Sequence, residues 1–406
     1  MSKYDNYFLM KNTDIAEYVL EKVDLLDKAT KINCQEIGDG NINYVTRVVD
    51  GKGNSVIVKQ AGHCLRISQD MTLSLDRNRI ETDILMLEDK LAPGSVPKIY
   101  HYDPIMCAFI MEDLTGYDIM RRALLEHKIF PNFADDITTF MVNTLLLTTD
   151  VVMDHKDKKE LQRNYINPEL CEITEDLVYT EPYNDYNKRN NVFAPNAEFV
   201  KQELYDDYKL HLEVAKLKFD FMNVSQSLIH GDLHTGSIFI RPDAMRVIDP
   251  EFAFYGPMGY DIGNVVANMI FAWCNGDATI ADEIERKNYL DWIENTIVNI
   301  IDLSVTKIKT AFAESATDKM AKTPGFMEYY IDQILSDTAG VVGLELNRRI
   351  VGMANVADIT SISDIHKRAR AERICIKAAK YFIMNRADIK TGEQFMKVVL
   401  DTIEQF

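Results

Sequence analysis

The stretch from residue 227 to residue 240 reads SLIHGDLHTGSIFI, a polar loop between two apolar runs. The loop gathers histidines, an aspartate, glycines and a serine within a few positions. After a short turn, RPDAM, the chain continues with RVIDPEF. Two apolar runs joined by a turn predict a β-hairpin, here of residues 238–240 with residues 246–248.

This hairpin determines how the acidic residues around it should be arranged. The loop before the first strand and the residue after the second strand meet at the same end of a hairpin. We therefore expect Asp232 and Asp249 to be neighbours in space, with Glu251 as a third carboxylate. Carboxylate oxygens beside a phosphate site are ligands that Mg²⁺ accepts. The alternative is a polar hairpin end whose acidic residues cap nearby helices.

A glycine-rich turn lies upstream, in EIGDGNINYVTRVVDGKGNSVIVKQ at residues 36–60. Gly38, Gly40 and Asn41 separate two predicted strands, and such a turn exposes backbone N–H groups to a phosphate. Lys59 follows two valines in the last strand, and we expect its side chain to point into the interior that the valines share. The alternative is an ordinary hairpin with a lysine whose stem is buried and whose ammonium reaches water.

A buried lysine needs an anionic partner, because an unpaired charge is costly to remove from water. The helix predicted over residues 75–92 can supply one, since its apolar residues share one face that packs on the sheet. Glu81 is the candidate on this helix, and Asp83 and Glu88 are the alternatives.

The predicted elements divide the chain into a small β-rich part and a larger helical part. Strands and turn signals dominate up to residue 114, with one inserted helix. From about residue 116 the apolar residues follow helical spacing, and residues 154–197 form an excursion of loops and short helices. We therefore expect an N-terminal domain over residues 1–114 and a C-terminal domain over residues 115–406.

Two adjacent arginines interrupt an apolar helix in GLELNRRIVGMA, residues 343–354. Neighbouring helix positions are about 100° apart, so Arg348 and Arg349 cannot face the same way equally. We expect at least one of them to point toward the active cleft. The alternative is a pair of surface arginines in ion pairs.

The composition excludes some partners and compartments. The net charge is −18, from 63 acidic and 45 basic residues, which would repel a nucleic-acid backbone. No segment has the length and apolar character of a membrane helix, so we expect no membrane partner. The six cysteines form no C-x-x-C pair, and the N-terminus resembles no secretory signal. We therefore expect reduced thiols and a cytoplasmic protein.

These motifs, in this order, resemble the protein-kinase-like fold: a glycine turn, a strand lysine, a helix glutamate, HGD, and an aspartate after the next hairpin. The form HGDLH is similar to the small-molecule branch of that fold, which includes aminoglycoside and choline kinases. The strings GDGNINYV, MEDL, HGDLHTGSIF and VIDPEFAFYGPMGYDIGN are similar to the methylthioribose kinase family. The resemblance spans roughly residues 36–352. It implies an α+β, bilobal fold, with a small antiparallel sheet in the N-lobe and a mostly helical C-lobe.

The resemblance also implies an activity. It indicates ATP-dependent phosphorylation of 5-methylthioribose at its 1-hydroxyl, with Mg²⁺ as cofactor, in methionine salvage. Asp232 would be the catalytic aspartate that accepts the proton of that hydroxyl. Arg348 and Arg349 would bind the sugar and offset charge on the moving phosphoryl group. The resemblance also implies a homodimer, because members of the family are usually dimers.

The nucleotide-binding residues are implied in the same way. Asp249 and Glu251 would hold Mg²⁺ on the ATP phosphates, and Pro250 stiffens the turn between them. Lys59 would bind the α- and β-phosphates and be steadied by Glu81. The glycine turn would lie over the nucleotide. The segment MEDL would be the hinge, in which Glu112, Asp113 and Leu114 adjoin the adenine.

The sequence departs from the broader fold at one informative position. Ser237 stands where most relatives have an asparagine that binds a second metal ion. This departure motivates one alternative, a nucleotide-binding module without catalysis. The other alternative is a kinase of a different small alcohol, of the aminoglycoside or choline type. His230 is expected to fix the catalytic loop by hydrogen bonds, and Asp261 is expected to brace that loop.

Overall fold

The computed structural model describes residues 3–37, 43–65, 68–72 and 74–406. The chain forms two compact units. The first contains Met1–Tyr117 together with Arg246–Ala253, and the second contains Asp118–Met245 and Phe254–Phe406. Val247 shows why the later segment joins the first unit: its N–H donates a hydrogen bond to Ser95 O at 2.7 Å.

The first unit is built on an antiparallel sheet. Its elements are α1 (Asn12–Lys22), β1 (Asn33–Glu36), β2 (Asn43–Val49), β3 (Ser55–Ala61), β4 (Cys64–Leu65), β5 (Ser68–Thr72), α2 (Asp76–Leu91), β6 (Ile99–Asp103) and β7 (Ala108–Glu112). Within the described residues, five strands pair in the order β1-β2-β3-β7-β6. The central pairings place Lys59 opposite Val45 on β2 and opposite Phe109 on β7.

Two helices pack against this unit for different reasons. The apolar residues of α1, including Tyr18 and Val19, form a core with alternate residues of the sheet, including Val56 and Val58. Helix α2 buries Ile80 and Ile84 as its spacing predicts, and it ends where the sequence Ala-Pro-Gly follows. Helix α2 and the five strands of the sheet therefore agree with the sequence prediction to within a few residues, whereas β4 and β5 were not predicted.

The second unit is mostly helical. Its elements are β8 (Asp118–Ile119), α3 (Met120–Leu125), α4 (Phe133–Leu146), α5 (His155–Asn164), α6 (Pro168–Leu177), α7 (Glu181–Asn184), α8 (Ala197–Val200), α9 (Tyr208–Asn223), β9 (Ser227–Ile229), β10 (Ile238–Arg241), β11 (Ala244–Val247, which continues into the first unit), β12 (Phe254–Gly256), α10 (Gly259–Thr279), α11 (Glu283–Ser315), α12 (Phe326–Val351), α13 (Ala357–Thr360), α14 (Ile365–Met384) and α15 (Gly392–Ile403).

The core of the second unit lies around α10, which is buried over nearly its whole length. Helix α12 approaches it closely, because a Cβ on Gly263 would lie only 2.7 Å from Thr338 O. Helix α14 packs against both α12 and α10. The apolar segment at residues 265–274 is a buried part of α10. Within the described residues, no helix is long and apolar enough to cross a membrane.

Three local features differ from the sequence prediction. The apolar spacing predicts one helix over residues 133–153, but α4 ends at Leu146. After this end, Thr148 Oγ1 donates to Thr144 O and accepts a hydrogen bond from Leu228 N of β9. The short strands β9 and β12 pair with each other and were not predicted. Helix α15 was also missed, although Thr391 caps its start in a capping box.

Candidate active site

Lys59 lies at the centre of a charged cluster in the first unit. Its Nζ is 2.6 Å from Glu81 Oε1 and 2.5 Å from Asp249 Oδ1. Both Lys59 and Glu81 are buried, at 3% and 1% exposure. The predicted pairing of Lys59 with Glu81 is therefore present, and Asp83 bonds to Arg79 instead.

The face of the sheet on which Lys59 lies differs from the prediction. Val56 and Val58 point into the core beneath α1, whereas the side chain of Lys59 points to α2. Successive side chains of a strand alternate between its two faces, so Lys59 cannot share an interior with these valines. The lysine is buried because α2 covers the second face as well.

The turn that follows β11 presents two carboxylates. Asp249 adopts a left-handed backbone conformation, with φ of 64°, and Pro250 begins a short 3-10 turn directly after it. Residues other than glycine rarely adopt this backbone conformation, and among them asparagine and aspartate tolerate it best. Asp249 keeps 43% of its side chain exposed, whereas Glu251 is buried. The turn thus offers one accessible and one enclosed carboxylate, two positions apart.

Glu251 is held by residues of the first unit that were not predicted from the sequence. Asn43 Nδ2 donates to Glu251 Oε2 at 3.0 Å, and Arg77 Nε lies 3.8 Å from the same oxygen. Burial raises the pKa of Glu251, because desolvation disfavours its charged form. Lys59 shows the opposite balance: burial alone would lower its pKa, but Asp249 and Glu81 raise it above its ordinary value.

The turn after β11 offers carboxylate oxygens next to Lys59. Asp249 contacts Lys59, and Glu251 contacts Asn43 and Arg77. Hard oxygen donors of this kind suit Mg²⁺. Mg²⁺ is commonly bound by one or two protein carboxylates together with water and substrate phosphates, so Asp249 and Glu251 fit its requirements.

The predicted hinge residues lie at the end of β7 and directly after it. The N–H of Glu112 donates to Lys98 O at 2.9 Å, so this donor serves the sheet. Asp113 accepts hydrogen bonds from Arg47 Nε at 2.5 Å and from Thr115 N at 3.1 Å, which fixes the turn. In the described part of the chain, the N–H of Leu114 has no protein acceptor. The glycine-turn residues Gly38, Gly40 and Asn41 lie outside the described residues.

The predicted catalytic loop, in the second unit, is braced by Asp261. Its carboxylate accepts hydrogen bonds from the backbone N–H of His230 at 2.7 Å and of Gly231 at 3.0 Å. Gly231 has φ of +82°, which a residue with a side chain would adopt only under strain. His230 Nδ1 in turn accepts from Asp232 N at 3.3 Å. The predicted roles of Asp261 and His230 in fixing the loop are confirmed.

The Asp232 carboxylate lies between a histidine and two arginines. His234 Nε2 is 3.4 Å from Asp232 Oδ2, and Arg348 Nη2 and Arg349 Nη2 are 3.5 Å and 3.9 Å from Asp232 Oδ1. Ser237 Oγ donates to the backbone oxygen of Asp232 at 3.0 Å, so this hydroxyl closes the loop. Both predicted substrate arginines therefore reach the predicted base.

Glu345 explains how two adjacent residues of α12 can face the same carboxylate. It lies one turn before them, and it bonds to Arg348 Nε and, at 3.0 Å, to Arg349 Nε. Each guanidinium is thereby turned so that an Nη group reaches Asp232. Spacings of three and four residues place side chains on one helical face, so this contact could have been read from the sequence.

Comparisons with known proteins decide the family. The model of the phosphotransferase enzyme family matches residues 33–292. The methylthioribose kinase of Geobacillus thermodenitrificans is 36% identical over 383 residues, which cover 94% of each chain. That of Bacillus pumilus is 31% identical over 386 residues, which cover 95% of each chain. The chain belongs to the methylthioribose kinase family.

A solved structure of choline kinase from Cryptosporidium parvum is similar with a TM-score of 0.48 and 13% identity, over 90% of this chain and 96% of the other. Family membership confirms the predicted fold class, an α+β protein-kinase-like fold, and makes the chain a small-molecule kinase. The predicted proximity of Asp232 and Asp249, which belong to different units, stays a prediction.

Electrostatics around Asp232 favour its ionised form. Burial alone would raise the pKa of Asp232, but His234, Arg348 and Arg349 outweigh it and hold the pKa well below its ordinary value. Burial also lowers the pKa of His234, and Arg121 lowers it further. His234 Nδ1 accepts from the N–H of Gly236, so Nε2 carries the proton and donates toward Asp232. The two arginines supply the positive charge.

Several residues of this site were missed from the sequence. In the first unit these are Asn43 and Arg77, and in the second unit they are His234, Glu345, Arg121, Asn268 and Asp358. Asn43 and Arg77 contact the predicted Glu251 from distant parts of the chain, and no sequence spacing reports such a contact. His234 and Glu345 lie within four residues of the predicted residues that they contact.

Proposed function

We propose that the chain transfers the γ-phosphoryl group of ATP to the 1-hydroxyl of 5-methylthioribose and releases 5-methylthioribose 1-phosphate. The observation that carries the proposal is the contact of Asp232 with both Arg348 and Arg349, which keeps an ionised base beside two phosphate-binding cations. The names of the relatives, which match over almost the whole chain, support the choice of sugar.

On the sugar side, Asp232 accepts a hydrogen bond from the 1-hydroxyl and orients its oxygen for attack. Phosphoryl transfer depends mainly on positioning and electrostatic stabilisation, so orientation is the larger part of this role. Asp232 takes the proton as the bond to phosphorus forms. The Nη groups of Arg348 and Arg349 donate to oxygens of the sugar and of the moving phosphoryl group and offset its charge.

On the nucleotide side, Lys59 binds the α- and β-phosphates of ATP and Glu81 keeps the lysine side chain extended. Asp249 and Glu251 hold Mg²⁺, which when bound neutralises charge on the phosphate oxygens. Gly38, Gly40 and Asn41 cover the phosphates with backbone N–H groups.

The adenine lies at the hinge. The backbone groups of Glu112 and Leu114 read its edge. The N–H of Leu114, which has no protein acceptor in the described part of the chain, supports this assignment. Asp113 keeps the hinge turn in place through its bonds to Arg47 and Thr115.

The proposal extends to the cellular role. A methylthio sugar 1-phosphate is an intermediate of methionine salvage, and we place the chain in that process, in the cytoplasm, as a homodimer. The resemblance to the family supports these extensions. Sedimentation of the purified protein tests the dimer.

The test is ADP release with methylthioribose, choline and an aminoglycoside, each with and without Mg²⁺. We expect Mg²⁺-dependent release with methylthioribose and a product that carries its phosphate on the 1-oxygen by phosphorus NMR. Release with choline or the aminoglycoside alone would identify a kinase of another alcohol. No release with any of them, together with measurable ATP binding, would indicate a nucleotide-binding module without catalysis.

A further inference from the structure

A third arginine lies beside the catalytic loop of the second unit and has no role in the proposed mechanism. Arg121, on α3, is 20% exposed. A Cβ on Gly236 would lie 2.8 Å from His234 Cε1 and 3.1 Å from Arg121 Nη1, so the imidazole and the guanidinium flank the same glycine. Arg121 is therefore one side chain away from the base, because His234 Nε2 faces Asp232.

Two of the three nitrogens of this guanidinium lie against other residues. Nη2 donates to Asn268 Oδ1 at 2.9 Å. Nε is buried, makes no hydrogen bond within the described residues, and lies 3.5 Å from Asp358 Oδ2 as an ion pair. Asn268 Oδ1 also accepts from Thr235 Oγ1 at 3.1 Å, which ties the arginine to the catalytic loop. In the described part of the chain, Nη1 has no protein acceptor, and it is not among the buried nitrogens. It is a donor that the surroundings hold in place and leave unused.

Asp358 is the second unexplained group. It is 1% exposed, and within the described residues neither carboxylate oxygen has a hydrogen-bond partner. A buried carboxylate without hydrogen bonds is costly, so the fold retains it against a penalty. Its contact with Arg121 fixes the guanidinium and compensates its charge. A structural ion pair alone would be better satisfied on both sides.

The charge balance around the base indicates what kind of ligand this donor receives. We define the base cluster by its charged members: Arg121, Arg348, Arg349, Asp232, Glu345 and Asp358. Each of the three guanidinium groups has an acidic side chain close by, so none of them is an uncompensated cation that requires an anionic ligand. A donor in such surroundings suits a neutral polar ligand. The hydroxyls of a sugar are such a ligand.

We propose that Arg121 is a specificity-determining residue, whose Nη1 donates a hydrogen bond to a ring hydroxyl of the sugar other than the one that is phosphorylated. Asp358 and Asn268 are positioning residues that hold the guanidinium in the required orientation. The inference rests on the proposed function, because it takes a pentose as the ligand. A site that hydrogen-bonds a hydroxyl discriminates strongly against analogues that lack it.

The experiment measures sugar binding by calorimetry, with a saturating non-hydrolysable ATP analogue. The ligands are methylthioribose and its 2-deoxy and 3-deoxy analogues. The test variant is Arg121→Met, and the matched control is Arg122→Met, an exposed neighbour on the same helix. Loss of one charge-assisted hydrogen bond should weaken methylthioribose binding by about tenfold or more. For the deoxy sugar that lacks the recognised hydroxyl, the variant and the wild type should bind alike.

Two further measurements separate recognition from folding. Arg121→Met leaves Asp358 buried without a cation, so the double variant Arg121→Met/Asp358→Asn removes both charges and should unfold at nearly the wild-type temperature. It should keep the weakened sugar binding. Asp358→Asn alone should raise the KM for the sugar and leave kcat unchanged, because it acts only through the orientation of Arg121.

Three results would overturn the inference. The first is that Arg121→Met binds methylthioribose within about twofold of wild type, since loss of a charge-assisted hydrogen bond should weaken binding by more than twofold. An equal loss for all three sugars is the second, since Arg121 would then act through the loop. The third is weaker binding of inorganic phosphate with sugar binding intact, which would make this an anion site. A wild-type protein that does not bind methylthioribose would refute the proposed function as well, so the two failures are distinguishable.

Discussion

Lys59 Nζ donates a hydrogen bond to Glu81 Oε1 across 2.6 Å, between side chains that are only 4% and 1% exposed. Glu81 depends on Lys59 for compensation, whereas Lys59 has a second anionic partner in Asp249, whose Oδ1 lies 2.5 Å from its Nζ. Breaking such a pair by removing one partner destabilises a protein by about 3–5 kcal/mol, because an uncompensated buried charge remains. The pair also fixes the lysine for its proposed phosphate contact. Stability and nucleotide binding are therefore coupled at this contact.

The first prediction follows from this coupling. Glu81→Gln should raise the KM for ATP and lower the free energy of unfolding by about 1–3 kcal/mol, because Lys59 keeps Asp249 as an anionic partner. Steady-state kinetics and urea unfolding measure the two effects. Asp83→Asn is the matched control on the same helix, because Asp83 is partly exposed and bonds to Arg79. A larger effect of the control on the KM for ATP would show that the partner of Lys59 has been misassigned.

The second prediction concerns the base. Asp232→Asn should bind ATP with wild-type affinity and lose turnover by about a hundredfold or more, which is the usual contribution of a positioned general base. Single-turnover kinetics and nucleotide titration separate the two readouts. Asp243→Asn, in the exposed turn before β11, is the control. Turnover within about tenfold of wild type would mean that another group accepts the proton.

The third prediction is a pH dependence. The pKa of Asp232 is held below its ordinary value, and its ionised form is the base, so activity is present above this pKa and is lost as the pH falls through it. Arg348→Met removes a positive charge and raises the pKa. The acid limb of kcat/KM should therefore move to higher pH, while Arg370→Met on α14 should leave it in place. An acid limb that is unchanged or moves to lower pH would contradict the assigned electrostatics.

The fourth prediction concerns the brace under the catalytic loop. Asp261→Ala removes the acceptor of two buried backbone N–H groups and should destabilise the protein by about 3 kcal/mol. Turnover should fall as well, because the backbone that presents Asp232 loses its support. Chemical denaturation and kcat test both effects. Asp277 lies on the same helix and pairs with Arg370, whose side chain is 35% exposed. Asp277→Ala should therefore change stability and kcat much less than Asp261→Ala does.

The sequence was informative wherever neighbours along the chain determine the structure. Alternation and turn signals placed β2 and β3, and helical spacing placed α2 and its Glu81. The sequence was silent wherever a partner comes from far along the chain. Arg77 meets Glu251, and Arg121 meets Asp358, across separations that no periodicity encodes.

The burial of Lys59 was predicted correctly, but the physical reason given for it was wrong. Burial of Lys59 was expected from the valines beside it, but alternation places those valines on the opposite face. The lysine is buried because α2 covers its own face of the sheet. The prediction of burial was confirmed for a reason that the strand alone could not provide.

The last prediction concerns Mg²⁺. Asp249 and Glu251, its two proposed ligands, lie on one turn of the first unit. Glu251→Gln replaces one of these carboxylates by a neutral amide, so the Mg²⁺ concentration for half-maximal activity should rise by about tenfold. Activity at saturating Mg²⁺ should recover in part, since Asp249 and the ATP phosphates remain as ligands. Glu17→Gln, at an exposed position of α1, is the control. An unchanged Mg²⁺ requirement in Glu251→Gln would restrict Glu251 to its contacts with Asn43 and Arg77 and leave Asp249 as the proposed protein ligand.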